Sequence, residues 1–193
     1  MNITVFYDYI CPFSFIGSKR IQKIADEYGI ELEWKGFEIH PEYPPDGKLR
    51  KKSLKMARVN ESLSSVMEEE ESKFKLPGFV TNTNMALQAA EYAKSEGKFI
   101  QFHNSCYDSY MLERKNIGDI NIILEIAETI GIDKHLLENT LKNKEMEENL
   151  ATYKVQAENA DVLGVPTILF NDFRIHGVQS LETYRSIIKK FSN

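Results

Sequence analysis

Strand-like alternation is confined to the two ends of this chain, and almost everything between them reads as helix. The apolar run Ile3-Thr4-Val5-Phe6-Tyr7, inside a strand expected over residues 2–8, leads into a helical stripe of Gly17, Ile21, Ile24 and Tyr28 that Gly29 ends. Ile30, Leu32 and Trp34 then alternate with Glu31, Glu33 and Lys35 at the period of a strand. Together they make a β-α-β unit of the length a right-handed crossover needs. The prolines and Gly47 of residues 39–47 break the pattern. From about residue 48 to 150 helical spacing dominates: residues 83–95, residues 98–112, a helix capped by Asp119 and stopped by Gly131, and a short one capped by Asp133. After a helix at about 145–161 the strands return as Thr167-Ile168-Leu169-Phe170 and Phe173-Arg174-Ile175, joined by an Asn171-Asp172 turn. A last amphipathic helix, about 180–191, carries Leu181, Tyr184, Ile188 and Phe191 on one side.

No internal repeat is visible. The order β-α-β, helical block, α-β-β-α therefore predicts a single α/β fold, residues 1–44 and 149–193, interrupted by an all-helical subdomain at 45–148. At 193 residues, 42% hydrophobic and 11% aromatic, the chain is an ordinary globular one. A net charge of −5 gives no support for nucleic-acid binding. No run approaches a membrane span, and the start lacks the basic region of a signal peptide. Two distant cysteines make no disulfide framework, so the expected compartment is the reducing cytoplasm. The acidic run Glu68-Glu69-Glu70-Glu71 is read as a solvated helix face. His40, His103, His135 and His176 lack metal-ligand spacing, and no metal site is expected.

One motif carries chemistry. Cys11-Pro12-Phe13-Ser14 falls where the first strand turns into the first helix. A thiol there meets the positive end of the helix dipole and unpaired backbone N–H groups, which favour thiolate. Asp8, three residues upstream, opposes this, and the sequence leaves the balance open. Ser14 stands where a Cys-x-x-Cys pair would place its second thiol. Its hydroxyl can hydrogen-bond a thiolate but cannot resolve a mixed disulfide.

The order of elements resembles the DsbA-like branch of the thioredoxin superfamily over nearly the whole chain. The resemblance lies in the segment from Phe6 to Gly17, in Phe37-Glu38-Ile39-His40-Pro41, in Gly164-Val165-Pro166-Thr167 and in the segment from Phe173 to Gln179. These look most like the cytoplasmic FrnE-type subgroup; the first also resembles kappa-class glutathione transferases and 2-hydroxychromene-2-carboxylate isomerases. The resemblance implies a thioredoxin fold with a helical insertion and a cis bond before Pro166. It implies Cys11 as nucleophile with Ser14 as its hydrogen-bond partner. Pro12, Phe13, Val165, Pro166 and Thr167 would lie around the substrate, which would be a thiol or disulfide protein or a small molecule. The activity implied is thiol–disulfide exchange through one cysteine, with glutathione as co-substrate and no tightly bound cofactor. The alternatives are a kappa-type transferase or isomerase on a small aromatic substrate, and a binder that keeps the fold without catalysis. Kappa-class relatives form dimers, which leaves a homodimer open.

Other residues have plainer readings. Cys106 shares the stripe Phe99, Phe102, Tyr110 and reads as core, with the alternative that it replaces the resolving thiol. His40 reads as loop chemistry rather than a catalytic base, and His103 as a helix-surface or core-edge residue. Gln179 and Ser180 precede the last helix, whose first N–H groups could receive a carboxylate such as glutathione's; the plainer reading is that Ser180 caps that helix. Phe13 offers either an apolar edge to a substrate or packing within the turn.

Overall fold

The structure, a computed structural model, describes residues 1–68 and 74–192. The acidic run expected as a solvated face falls on side chains outside those described. The chain packs into two compact units, Met1–Ile39 with Leu150–Asn193, and His40–Asn149.

The first unit is built on strands β1 (Ile3–Tyr7), β2 (Leu32–Gly36), β5 (Thr167–Phe170) and β6 (Phe173–His176), in the order β2-β1-β5-β6. β1 runs parallel to β2, from which helix α1 (Pro12–Tyr28) separates it, and antiparallel to β5. β5 and β6 form a hairpin whose Asn171 has φ 52°, the left-handed conformation that Asn tolerates in a tight turn. Every residue of β1 is buried because the sheet is covered on both faces. Phe6 and Leu169 pack with Ala157 and Val162 of helix α7 (Glu147–Asn159) and the loop after it. From the other face Phe170 meets Tyr184 of helix α8 (Leu181–Ser192), which packs on α1. Ile21 and Ile24 are fully buried on α1, whereas Tyr28, expected on the same stripe, is 38% exposed because the helix is ending there. Gly29 closes it at φ 63°, its N–H returning to Ala25 and Asp26 carbonyls.

The second unit holds α2 (Leu54–Glu68), α3 (Asn84–Ser95), α4 (Phe99–Met111), α5 (Ile120–Thr129) and α6 (Lys134–Lys142). Asp119 and Asp133 accept the first N–H groups of α5 and α6, as their capping positions predict. In α3, Ala86, Ala89, Ala90 and Ala93 are fully buried, and these small residues allow α4, α5 and α6 to approach. The sequence did not signal one element: β3 (Lys48–Leu49) and β4 (Phe79–Val80) form a two-stranded antiparallel ladder beside the helices. Two residues per strand leave no period to detect. The ladder is secured from outside, by Tyr110 donating to Phe79 O at 3.0 Å and Arg50 to Pro77 O at 3.0 Å.

Cys106 is fully buried in this unit's core, in line with its place on the Phe102–Tyr110 stripe. His103 lies deeper than a core-edge residue, 1% exposed between Phe99 and Tyr107, with ring centroids 5.0 and 4.9 Å away. Burial, helped by the Lys94 cation, pushes its pKa down to about 3.

Two consequences are measurable. Gly118 lies against Pro45 O and Thr81 Oγ1, and an added Cβ would overlap both. Gly118→Ala is expected to cost about 1–3 kcal/mol, read as a lower urea midpoint. His103 takes no proton in the folded state above about pH 3, whereas the unfolded chain takes one below about 6.5. The stability of the wild type relative to His103→Gln should therefore fall as pH drops through 6.5 towards 3, measured by urea unfolding at each pH.

Candidate active site around Cys11

Cys11 is the N-cap of α1, with extended backbone angles (φ −86°, ψ 114°) and Pro12 opening the helix. Pro12 suits that position because its missing N–H would have no intrahelical acceptor. The turn before it is stitched by Cys11 N–H donating to Asp8 O at 3.1 Å, and by Asp8's carboxylate. That carboxylate, fully buried, accepts from Ile39 N–H at 2.8 Å and more weakly from Ile10 N–H at 3.3 Å. Asp8 thus fastens the strand-to-helix turn to the segment after β2.

Across 154 positions of sequence, the Cys11 thiol donates to Val165 O at 3.2 Å. The Val165–Pro166 peptide bond is cis. Pro166 approaches α1 where a side chain is lacking: a Cβ on Gly17 would stand 3.1 Å from Pro166 Cγ and 3.6 Å from Val178 Cγ2. Gly17 was legible only as a helix-face residue; its role as the gap that receives the proline ring emerges from the packing. Thr167 begins β5, its hydroxyl donating to Gly164 O at 2.6 Å and lying 2.9 Å from His176 Nδ1. The structure therefore brings Cys11, Val165, Pro166 and Thr167 to one place, with Pro12 and Ser14 buried next to the sulfur and Phe13 half-buried in the same turn.

The electrostatics decide the balance that the sequence left open, and they favour the thiol. Burial, chiefly, pushes the Cys11 thiol above its ordinary value, and the Asp8 carboxylate adds to this. Ser14 and the backbone N–H groups of Ser14 and Phe13 pull the other way without prevailing. The bond to Val165 O adds a further bias, because only the thiol form can donate it. Among the described residues Ser14 Oγ finds no hydrogen bond of good geometry. It is nonetheless near enough to the sulfur to favour a thiolate once one forms.

Two other residues weighed in the sequence have local partners. Ser180 caps α8, its Oγ accepting from Thr183 N–H at 3.1 Å. His40 stacks on Tyr43 and pairs with Glu42 in its loop. His176 was weighed in the sequence only as a metal ligand. The signal that would have placed it beside Thr167 was the hairpin itself, since a two-residue Asn171-Asp172 turn sets Thr167 opposite His176. Among the described residues no three metal-ligating side chains converge, and no helix is long and apolar enough to cross a membrane.

A thiol at the N-cap of the first helix, facing a cis-proline that opens an antiparallel strand, defines a thioredoxin-fold protein with a single cysteine at its site. Residues 2–189 match the DSBA-like thioredoxin domain, and the chain belongs to that family. The probable DsbA oxidoreductase SCO1869 from Streptomyces coelicolor is similar with a TM-score of 0.85 at 18% identity, covering 98% of this chain and 89% of that one. A 2-hydroxychromene-2-carboxylate isomerase is similar with a TM-score of 0.84 at 18% identity, covering 100% and 96%. The cytosolic disulfide reductase DsbM from Pseudomonas aeruginosa, in a structure with GSH, gives 0.74 at 10% identity, covering 98% of each chain. At these identities the likeness establishes the fold.

The Asp8 charge makes its own prediction. Asp8→Asn keeps an oxygen for Ile39 N–H and removes the charge, so the midpoint of the pH–rate profile for Cys11 alkylation by iodoacetamide should move to lower pH. An unmoved midpoint in a folded variant would show that burial alone sets the thiol.

Proposed function

We propose that this protein is a thiol–disulfide oxidoreductase working through Cys11 alone, with glutathione supplying the second thiol in a reducing compartment. The observation that carries this reading is the Cys11 sulfur at a helix N-cap, 3.2 Å from the carbonyl of the residue preceding cis-Pro166, with a hydroxyl at position 14. Cys106, sealed in the core of the helical unit, supports a one-thiol rather than a two-thiol cycle.

In this cycle Cys11 ionises and its thiolate attacks the glutathione sulfur of a mixed disulfide R–S–S–G. A Cys11–glutathione S–S bond forms, the original S–S bond breaks, and the substrate leaves as a thiolate that takes up the proton Cys11 lost. A second glutathione thiolate then attacks the glutathione sulfur of the adduct, releasing oxidised glutathione and regenerating Cys11. The balance is one mixed disulfide and one glutathione thiol in, one substrate thiol and one oxidised glutathione out. A raised thiol pKa is compatible with this cycle, because intrinsic nucleophilicity rises with pKa even as the thiolate fraction falls. Ser14 Oγ turns its hydrogen to the sulfur as charge develops, while the Val165 carbonyl loses the hydrogen bond it accepted from the thiol. Val165, Pro166, Thr167, Pro12 and Phe13 form the bed on which the substrate's extended chain lies.

The protonated resting state of Cys11 and the likeness to the isomerase favour one second reading, in which glutathione's own sulfur does the chemistry on a small electrophile. The two readings separate in one experiment. Incubation with oxidised glutathione followed by mass spectrometry should give an adduct on Cys11 that Cys106→Ala retains and Cys11→Ala abolishes. Absence of that adduct, with Cys11→Ser still consuming an electrophile in the presence of glutathione, would replace the first reading by the second.

A further inference from the structure

The hydrogen bonds that meet at Thr167 Oγ1 have directions fixed by chemistry. Gly164 O, 2.6 Å away, can only accept, so it takes the single hydroxyl hydrogen of Thr167. His176 Nδ1, 2.9 Å from the same oxygen, must then be the donor. The neutral imidazole is therefore held as its Nδ1–H tautomer, and the same N–H persists if the ring is protonated. The hairpin enforces the meeting: Thr167 lies directly opposite His176, and Gly177 N–H donates to Pro166 O at 2.8 Å. The chain His176 Nδ1–H to Thr167 Oγ1–H to Gly164 O spans the loop from Gly164 to Thr167. Inside that loop is the Val165 carbonyl that accepts the Cys11 thiol.

We infer that His176 is a positioning residue for the Cys11 site: its Nδ1–H, acting through the Thr167 hydroxyl, sets where the Val165 carbonyl lies relative to the sulfur. His176 sits on the edge strand β6 and is exposed, so core packing does not hold its ring in place. Among the described residues its polar side-chain contact is with Thr167, which makes that contact the reason for the ring's orientation. When His176 is lost, the Thr167 hydroxyl keeps its bond to Gly164 but loses its anchor on β6. The Val165 carbonyl then loosens from the thiol it stabilises. The functional consequence rests on the reading of Cys11 as the working thiol; the geometric consequence does not.

The test compares His176→Ala, His176→Gln and His176→Asn. The asparagine amide nitrogen falls near the place of Nδ1 and can donate to Thr167, whereas the glutamine amide lies one methylene further out. Losing one hydrogen bond to the thiol form should raise the rate of Cys11 alkylation by iodoacetamide near neutral pH about three- to tenfold in the alanine and glutamine variants. His176→Asn should stay close to the wild type, and urea midpoints should be alike for all four proteins. Nitrogen-15 NMR of the wild-type imidazole should show Nδ1 protonated in the neutral ring. Alkylation rates that are unchanged in every folded variant, or equally raised in all three, would overturn the inference. So would a neutral ring protonated at Nε2, a measurement that needs no variant to fold. Alkylation and NMR read the site without glutathione, so a missing glutathione adduct would sink the proposed function and leave this result standing.

Discussion

The site depends above all on the antiparallel pairing of β1 with β5. Ile3 opposite Phe170 and Phe6 opposite Thr167 join the two ends of the chain, and this register puts Pro166 and the Val165 carbonyl beside the turn that follows β1. A one-residue slip would turn Ile3 and Val5 from the α1–α8 face to the α7 face, and Phe6 the other way. Burial on both faces makes such a slip costly. The Cys11–Val165 bond is thus set by the hydrophobic register of the sheet, and the single hydrogen bond does not have to hold its own geometry.

Within that frame the sulfur stands between opposed influences. Desolvation, the Asp8 charge and the Val165 carbonyl hold the proton, while the helix-start N–H groups and Ser14 favour its release. The helix dipole is a fraction of a charge acting through about one turn, whereas full burial penalises a whole anion. That difference in magnitude is why the resting cysteine is a thiol despite a position usually associated with low pKa. Under the proposed function it also gives Ser14 a part. A second thiol would compete as a nucleophile, whereas a hydroxyl can only stabilise charge as it forms, which suits a cycle that takes its second thiol from solution.

Much of the fold is legible because its signals are local. The stop at Gly29, the caps at Asp119 and Asp133 and the Asn171-Asp172 turn each act within a few residues and appear where the pattern places them, while the period-2 run at Ile30–Trp34 appears as a strand shifted to Leu32–Gly36. The β3–β4 ladder left no mark, because two-residue strands have no periodicity and are held by the adjoining Arg50 and by Tyr110 of α4. His103 went deeper than its polarity suggested, because Phe99 and Tyr107 on its own helix enclose it. The partners of Asp8, Gly17 and His176 were hidden for the same kind of reason: Ile39 N–H, the Pro166 ring and the Thr167 hydroxyl reach them through tertiary contact.

By itself, then, the sequence determined the order of the longer elements, the strand-to-helix turn that holds Cys11 and the absence of a second thiol at position 14, since these follow from local periodicity and residue chemistry. Only the tertiary structure decided the protonation of that cysteine, the acceptor its thiol meets and the meeting of His176 with the Thr167 hydroxyl. Those properties depend on desolvation and on hydrogen bonds between groups far apart in sequence, which no local pattern encodes.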